Sequence, residues 1–411
     1  MLKKIPAELA RPGMFIQKFE GPWLAHPFWR SSFLLEDPED LRKILDSGIP
    51  ELWIDTDRGM DLPEARQPGQ APAPREPEPP RPASCGSTPE PALAAPQPSR
   101  VDMAAELGRA RKLYEDSRVR MRALFAEARL GRAIDPQMAG TLVEDIAASL
   151  QRNPWALISV ARLKTSDEYT YMHSVAVCAL MIALGRQLGL ADEQVREAGT
   201  AGLLHDLGKA RIPPDILNKP GKLSEREFAV MKTHPRHGWD MLRQVRGMGE
   251  AALDVCLHHH EKMDGSGYPD GLAGDAISLV ARMGAVCDVY DAVTSNRPYK
   301  KGWDPAESLR NMARWTGSHL DPRVFAAFVK SVGIYPVGSL VRLESGLMGV
   351  VVEQGESSLL TPRVRGFFSA KTRAYVQPTL VDLARPGCQD RIAGPENPAD
   401  WGITDADTYW Q

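Results

Sequence analysis

Apolar residues fall at different spacings along this chain, and the changes of spacing divide it. Between residues 3 and 60 the apolar stretches are short. Ile5, Leu9 and Met14-Phe15-Ile16 predict a strand, Pro38 to Leu45 a helix stopped by Gly48, and Glu51-Leu52-Trp53-Ile54-Asp55 a further strand. Residues 1–61 therefore read as a small α/β unit. From Leu62 to about residue 100 Pro, Ala, Glu and Gln take over, as in Pro77-Glu78-Pro79-Pro80. Such a run cannot build a core, and it predicts a flexible, extended linker over 62–100.

Helical spacing begins at residue 101. Met103, Leu107, Ala110 and Leu113 recur by threes and fours, and after Asp135-Pro136 so do Met138, Leu142, Ile146 and Leu150, up to Asn153-Pro154. Residues 101–154 form a helical lead-in to 155–335, where nearly every segment reads as helix. No strands alternate with those helices, which argues against a doubly wound fold. After Pro336 the texture turns to strands: Ser339 to Leu343, Gly349 to Glu353, Phe367-Phe368 and Ala374 to Val376. The expected fold class is mainly α, a helical bundle with a small N-terminal α/β unit and a short β-rich appendage over 336–383. Residues 384–411, rich in Pro, Gly and Asp, are expected to be loosely ordered.

Composition narrows the setting. The chain has 411 residues, 43% of them hydrophobic and 25% charged, with a net charge of −3. That balance suits soluble globular domains and offers no global field for a nucleic acid polymer or an anionic membrane. Any anionic substrate must meet local cations. Five cysteines without a CxxC pair argue for a reducing compartment. No signal peptide is evident, and the most apolar run, Val175 to Leu184, is half a membrane span. A cytoplasmic protein without a membrane span is the expectation.

The candidate chemistry lies in the helical region. His173 falls within a helix. His205-Asp206 is expected to close a helix over Ala198 to Leu207, stopped by Gly208. Ser224 to Glu227 is a capping box opening a helix to about Thr233. His234 precedes Pro235, a helix junction where its side chain is expected to be exposed. His259-His260 ends another helix, and Asp288 lies in one spanning Ile277 to Ser295. Histidines and aspartates on separate helices can converge in a bundle core and suit iron, manganese or zinc. A carboxylate such as Asp206 can bridge two ions, and a water between them becomes a nucleophile at neutral pH, which is chemistry for phosphate esters. His258 and His237 read as neighbours of the ligands, and Cys256 and Cys287 as buried thiols.

These residues resemble a family. His205-Asp206-Leu207-Gly208-Lys209 resembles the HD metallohydrolase signature. His259-His260-Glu261, Asp264-Gly265 and Gly267-Tyr268-Pro269 resemble the longer HD-GYP signature, and Asp288 to Ala292 with Arg297-Pro298-Tyr299-Lys300 the segments that follow it. The resemblance spans roughly Trp155 to Tyr335. The N-terminal unit and linker resemble a domain of unknown function found ahead of HD-GYP domains.

The resemblance implies a bacterial phosphodiesterase that hydrolyses cyclic di-GMP to linear pGpG, with onward hydrolysis to GMP as a further step. It implies two divalent metals, iron or alternatively manganese. His173, His205, Asp206 and Asp288 would hold one; Asp206 would bridge to a second on His234, His259 and His260. Lys209 would meet the scissile phosphate or leaving oxygen, Arg297 and Lys300 the phosphates, and Asp264 the substrate side of the loop or its bracing. Some members carry a glutamate four residues before the first histidine for a third metal. Here that position is Tyr169, and Glu168 is rotated by roughly 100°, so two metals are expected. Signalling partners would meet the N-terminal domain; the oligomeric state stays open. Two other readings are a weakly catalytic cyclic di-GMP sensor and an HD-type nucleotide phosphohydrolase.

Overall fold

The computed structural model describes residues 2–19, 33–35, 37, 41–42, 44–45, 51–60, 101–162, 169–295, 302–355 and 358–410. Two compact units divide near residue 97. The predicted linker over 62–100 and half of the predicted helix at 38–45, residues 38–40 and 43, lie outside the described residues.

The N-terminal unit is a four-stranded antiparallel sheet. Its strands are β1 (Leu2–Pro6), β2 (Phe15–Phe19), β3 (Phe33–Leu34) and β4 (Glu51–Asp55), in the order β1-β4-β2-β3. One strand was expected across Ile5 to Ile16; a 3-10 turn at Ala7–Leu9 instead divides it into β1 and β2. Alternation along β4 sends Leu52 and Ile54 inward against Ile5 and Ile16, all essentially inaccessible to water.

The second unit is mainly α. Helix α1 (Met103–Arg129) starts at Asp102, whose carboxylate accepts the Ala105 N–H at 2.7 Å. Helix α2 (Pro136–Arg152) starts with Asp135 accepting from Gln137, and Pro136 occupies the first turn. The two helices share a buried ion pair: Glu106 accepts from Arg152 Nε at 2.8 Å and Nη2 at 2.7 Å, and from Ser149 at 3.0 Å. Burial opposes ionisation of Glu106, but Arg152 and Ser149 outweigh it and lower its pKa.

After α3 (Ala156–Arg162) comes α4 (Tyr169–Gln187), the axis of the bundle. Ala176, Cys178, Ala179 and Ile182 pack into one core, while Val177, Leu180, Met181 and Leu184 pack into another on the opposite side. A helix buried all round needs an unbroken apolar run, which is why Val175 to Leu184 has one. Each large aliphatic side chain buried there contributes roughly 1.5–3 kcal/mol, so α4 is a fixed frame for His173.

Around it pack α5 (Asp192–Leu204), α6 (Pro214–Leu217), α7 (Glu225–Met231), α8 (His234–Leu242), α9 (Glu250–His258), α10 (Leu279–Thr294), α11 (Pro305–Arg314) and α12 (Pro322–Val332). The capping box at α7 forms as expected, with Ser224 N–H donating to Glu227 at 2.7 Å. Cys256 and Cys287 are buried, and burial pushes both thiols up.

A five-stranded antiparallel sheet follows: β5 (Leu340–Leu343), β6 (Leu347–Glu353), β7 (Arg363–Ser369), β8 (Ala374–Asp382) and β9 (Ile392–Pro395), in the order β8-β7-β6-β5-β9. Met348, Val350, Phe367 and Phe368 join the first helical core, whereas Val341, Leu343, Val351 and Val364 form a separate cluster. The structure differs from the sequence expectation at 384–411. Strand β9 comes from that segment, and Ile403 and Trp410 are buried in the helical core, with Arg162 5.3 Å from the Trp410 ring. Single apolar anchors scattered among Pro, Gly and Asp carry no periodicity, yet each fills a gap.

Removing Glu106 leaves Arg152 partly buried and unpaired. Glu106→Ala is expected to cost about 2 kcal/mol, below the range for fully buried pairs because Arg152 keeps 29% of its side chain exposed. Because folding lowers the Glu106 pKa, its contribution is complete above the unfolded carboxyl value and is lost as pH falls through the folded one. Urea titrations at several pH values should therefore show a shallower acid loss of stability in Glu106→Gln than in the native chain.

Candidate metal centre

Five elements bring the candidate ligands together. His173 projects from α4 and Asp288 from α10; His205 and Asp206 follow the end of α5, His234 begins α8, and His259 and His260 follow α9. All are buried except His260, which keeps 25% of its side chain exposed. His234 departs from the expected exposed junction: it is 1% exposed.

Helix α5 runs from Asp192 to Leu204, so it starts and stops earlier than the expected span, and the chain passes through Asp206 into a 3-10 turn at Leu207–Arg211. Gly208 sits within that turn and not in the left-handed conformation of a helix stop. Its role is close approach. A Cβ there would lie 1.8 Å from the His234 carbonyl oxygen and 2.5 Å from the Gly238 nitrogen. Backbone contact between this turn and α8 places His234 Nε2 3.3 Å from Asp206 Oδ1.

Hydrogen bonding sets the direction of each ring. The Nδ1–H groups of His205, His234 and His259 donate to the carbonyls of Gly202, Met231 and Val255 at 2.7, 2.8 and 2.9 Å. A carbonyl can only accept, so each ring carries a proton on Nδ1 and turns Nε2 to the interior. His234 Nε2 and His259 Nε2 are 3.4 Å apart, and His205 Nε2 is 3.4 Å from Asp206 Oδ2. Among the described residues His205 Nε2 and Asp206 Oδ1 are buried without a hydrogen-bond partner. Each such atom costs about 1–3 kcal/mol when left unpaired. Lone pairs facing lone pairs and a carboxylate are stabilised by a cation between them, so the donor set fits divalent metal.

The donor atoms form two groups, His173, His205 and Asp206 in one and His234, His259 and His260 in the other, each within 4.8 Å. Asp288 lies 2.9 Å from His173, 3.9 Å from His205 and 3.8 Å from His260. Burial pushes His259 well below the ordinary histidine pKa, with neighbouring imidazoles adding to it, and pulls His260 down to about 3 against the pull of Asp288. Both stay neutral, as ligands must. Burial disfavours the Asp206 and Asp288 carboxylates, but Lys209 holds Asp206 ionised and His173 holds Asp288 ionised, both well below the carboxylate range.

A model described as an HD domain matches residues 142–324, and one described as a domain of unknown function, DUF3391, matches residues 2–139. Cyclic di-GMP phosphodiesterase PA4108 of Pseudomonas aeruginosa is 53% identical over 100% of this chain and 96% of its own length. The chain belongs to the HD-GYP phosphodiesterase family. Two further relatives match less than half of the chain. The cyclic di-GMP phosphodiesterase response regulator RpfG of Xanthomonas campestris is 43% identical over 42% of this chain and 47% of its own. The 3'3'-cGAMP-specific phosphodiesterase 2 of Vibrio cholerae is 33% identical over 44% of this chain and 35% of its own.

The HD-GYP loop is braced by Glu261. This buried carboxylate accepts the N–H groups of Asp270 and Gly271 at 2.7 and 3.0 Å, tying the loop's exit to its entry. Gly265 has φ +77, and a Cβ on Gly267 would strike the Glu261 Cα at 2.5 Å. The Tyr268–Pro269 bond is cis, and the Tyr268 ring stacks on His260 at 4.7 Å. Asp264 is exposed and accepts the Ser266 N–H at 2.9 Å, so it braces the turn; it is not among the residues lining the cleft beside the ligands. His258 stands outside the donor groups and bridges Asp254 and Asp270. Lys209 donates to Asp206. Arg297, Lys300 and Glu168 lie outside the described residues, and Tyr169 opens α4.

Asp291 was not assigned a role from sequence. Its Oδ2 accepts from His173 Nδ1 at 2.6 Å, leaving His173 Nε2 aimed at Asp288 and Asp206. Spacing was the available signal: Asp288 and Asp291 stand three apart on one helix, so both reach the same face. Asp291→Ala is expected to weaken metal affinity about 10- to 100-fold, read by chelator competition on protein of unchanged circular dichroism. Gly208→Ala is expected to lower bound metal per chain and the melting temperature together, because the new methyl group collides with main chain.

Proposed function

We propose that the chain hydrolyses cyclic di-GMP to linear pGpG, with onward hydrolysis to GMP as a further step, using two divalent metals, iron or alternatively manganese. The reading rests on two adjoining donor groups, one of them holding Asp206, whose Oδ1 lies 3.3 Å from His234 and 3.8 Å from His259 of the other, on the family, and on the 53% identical relative that carries the cyclic di-GMP phosphodiesterase name. His173, His205, Asp206 and Asp288 would hold one ion and His234, His259 and His260, with Asp206, the other. When bound, such ions polarise phosphoryl oxygens and lower the pKa of water in the site.

The protein's own groups do the rest. Main-chain carbonyls and Asp291 hold the imidazoles so that no ring has to turn during reaction. Lys209 keeps Asp206 ionised and stands ready to meet a phosphate oxygen or the leaving oxygen. A cleft of about 460 Å³ opens beside His259, His260 and Asp288, enough for part of a dinucleotide to lie with one phosphate at the centre. Water adds to phosphorus, the P–O3′ bond breaks, and a proton reaches the departing O3′. Among the described residues no helix is long and apolar enough to cross a membrane, and a signalling partner would dock through the N-terminal unit.

The test is anaerobic purification with iron or manganese, incubation with cyclic di-GMP, and chromatography of products. Linear pGpG is expected, with turnover and bound metal both abolished in Asp206→Ala; turnover retained in that variant overturns the mechanism. Tight binding without turnover would favour a sensor, and phosphate release from nucleoside monophosphates an HD-type nucleotide phosphohydrolase. A parallel incubation with 3'3'-cGAMP sets the substrate range, since one relative is specific for it.

A further inference from the structure

The cleft beside the metal centre has a second wall that the ligand motifs do not include. It is the turn after α11, residues Trp315 to Leu320. Trp315 and His319 both line the cleft, together with His259, His260 and Asp288. Their rings are 6.3 Å apart, and Trp303 continues the aromatic row 6.1 Å from Trp315. All three are partly exposed, which is uncommon packing for so much indole surface unless something covers it. Lys232 and Lys262 line the same cleft, and Lys232 lies 5.7 Å from the Tyr268 ring centroid.

This wall is fastened to the ligand loop. Met263 N–H donates to the His319 carbonyl at 3.2 Å, and Asp264 N–H to the Ser318 carbonyl at 2.8 Å. Inside the turn, His319 N–H donates to Trp315 at 2.9 Å, Gly317 N–H donates to Leu320 at 2.9 Å, and Gly317 takes φ +88. The aromatic pair is thus held at a set distance from His259 and His260 by main chain, not by side-chain packing alone. Burial, with Lys262 adding to it, lowers the His319 pKa, so its ring stays neutral at pH 7.

A fixed aromatic face, two cations and a metal-bearing end across one cleft match the parts of a nucleotide diester: a base to stack, and phosphates to neutralise. We propose that the Trp315–His319 turn is a platform for a purine base of the substrate, with Lys262 beside it contacting the phosphate that is not being cleaved. This deepens the proposed cyclic dinucleotide reading and rests on it. Trp315 is a substrate-positioning residue here; it belongs to neither donor group.

The metal-loaded full chain tests this with two substrates: cyclic di-GMP, and methyl 4-nitrophenyl phosphate, a diester small enough to need only the metal end. Trp315→Ala is expected to lower kcat/KM on cyclic di-GMP about 10- to 100-fold, mainly through KM. Its rate on the small diester and its bound metal should not change, and Trp315→Phe should restore most of the KM. Lys262→Gln should raise KM on cyclic di-GMP at low salt and lose the salt dependence of KM seen in the native chain. An unchanged KM in Trp315→Ala, or equal loss on both substrates, or no rescue by Trp315→Phe, overturns the platform while leaving the function standing. A native chain that cleaves the small diester but neither binds nor cleaves cyclic di-GMP overturns both.

Discussion

The interior of the helical unit is organised around an electrostatic mismatch. Nε2 atoms of His205, His234 and His259 turn lone pairs toward Asp206 and toward one another, since their Nδ1–H groups are committed to main-chain carbonyls. Lys209 offsets part of that negative potential from one side. Divalent cations offset the rest, and they are the only common species small and charged enough to satisfy several such donors at once. Every surrounding feature can be understood as holding those donors still: α4 buried on all sides, backbone contact at Gly208, and Asp291 behind His173.

Rigidity of this kind is what a phosphodiesterase centre needs. A donor misplaced by an ångström loses a large part of its effect, and a ring free to rotate would spend part of its time with the wrong nitrogen forward. Main-chain carbonyls near the ends of α5, α7 and α9 are suited to the task because the helix holds them in place and a carbonyl oxygen can accept twice, as that of Val255 does from the His259 N–H and ring. The same three imidazoles that bind outward thereby satisfy backbone groups inward.

The HD-GYP loop connects the centre to its surroundings. Glu261 closes its two ends, Gly265 and Gly267 let the chain fold back on itself, and the Met263 and Asp264 amides join it to the Trp315–Leu320 turn. A segment that looks in sequence like a turn after two candidate ligands is in fact the joint between the donor end and the Trp315–Leu320 turn. The C-terminal sheet packs its Phe367 face into the first helical core and so contributes to the frame.

Periodicity and motif spacing alone established the mainly α region and its flanking strands and picked out the candidate histidines and aspartates, because helix phase, capping residues and glycine-proline punctuation act locally. Local signals could not show that His234 is buried, that Gly208 permits a backbone crossing, or that Ile403 and Trp410 anchor the chain's end. Each of those depends on which distant segment arrives at the same place. The role of Asp291 and the meeting of Trp315 with the ligand loop were decided the same way, by helices brought together through the burial of α4, a contact between residues far apart in sequence that no local pattern encodes.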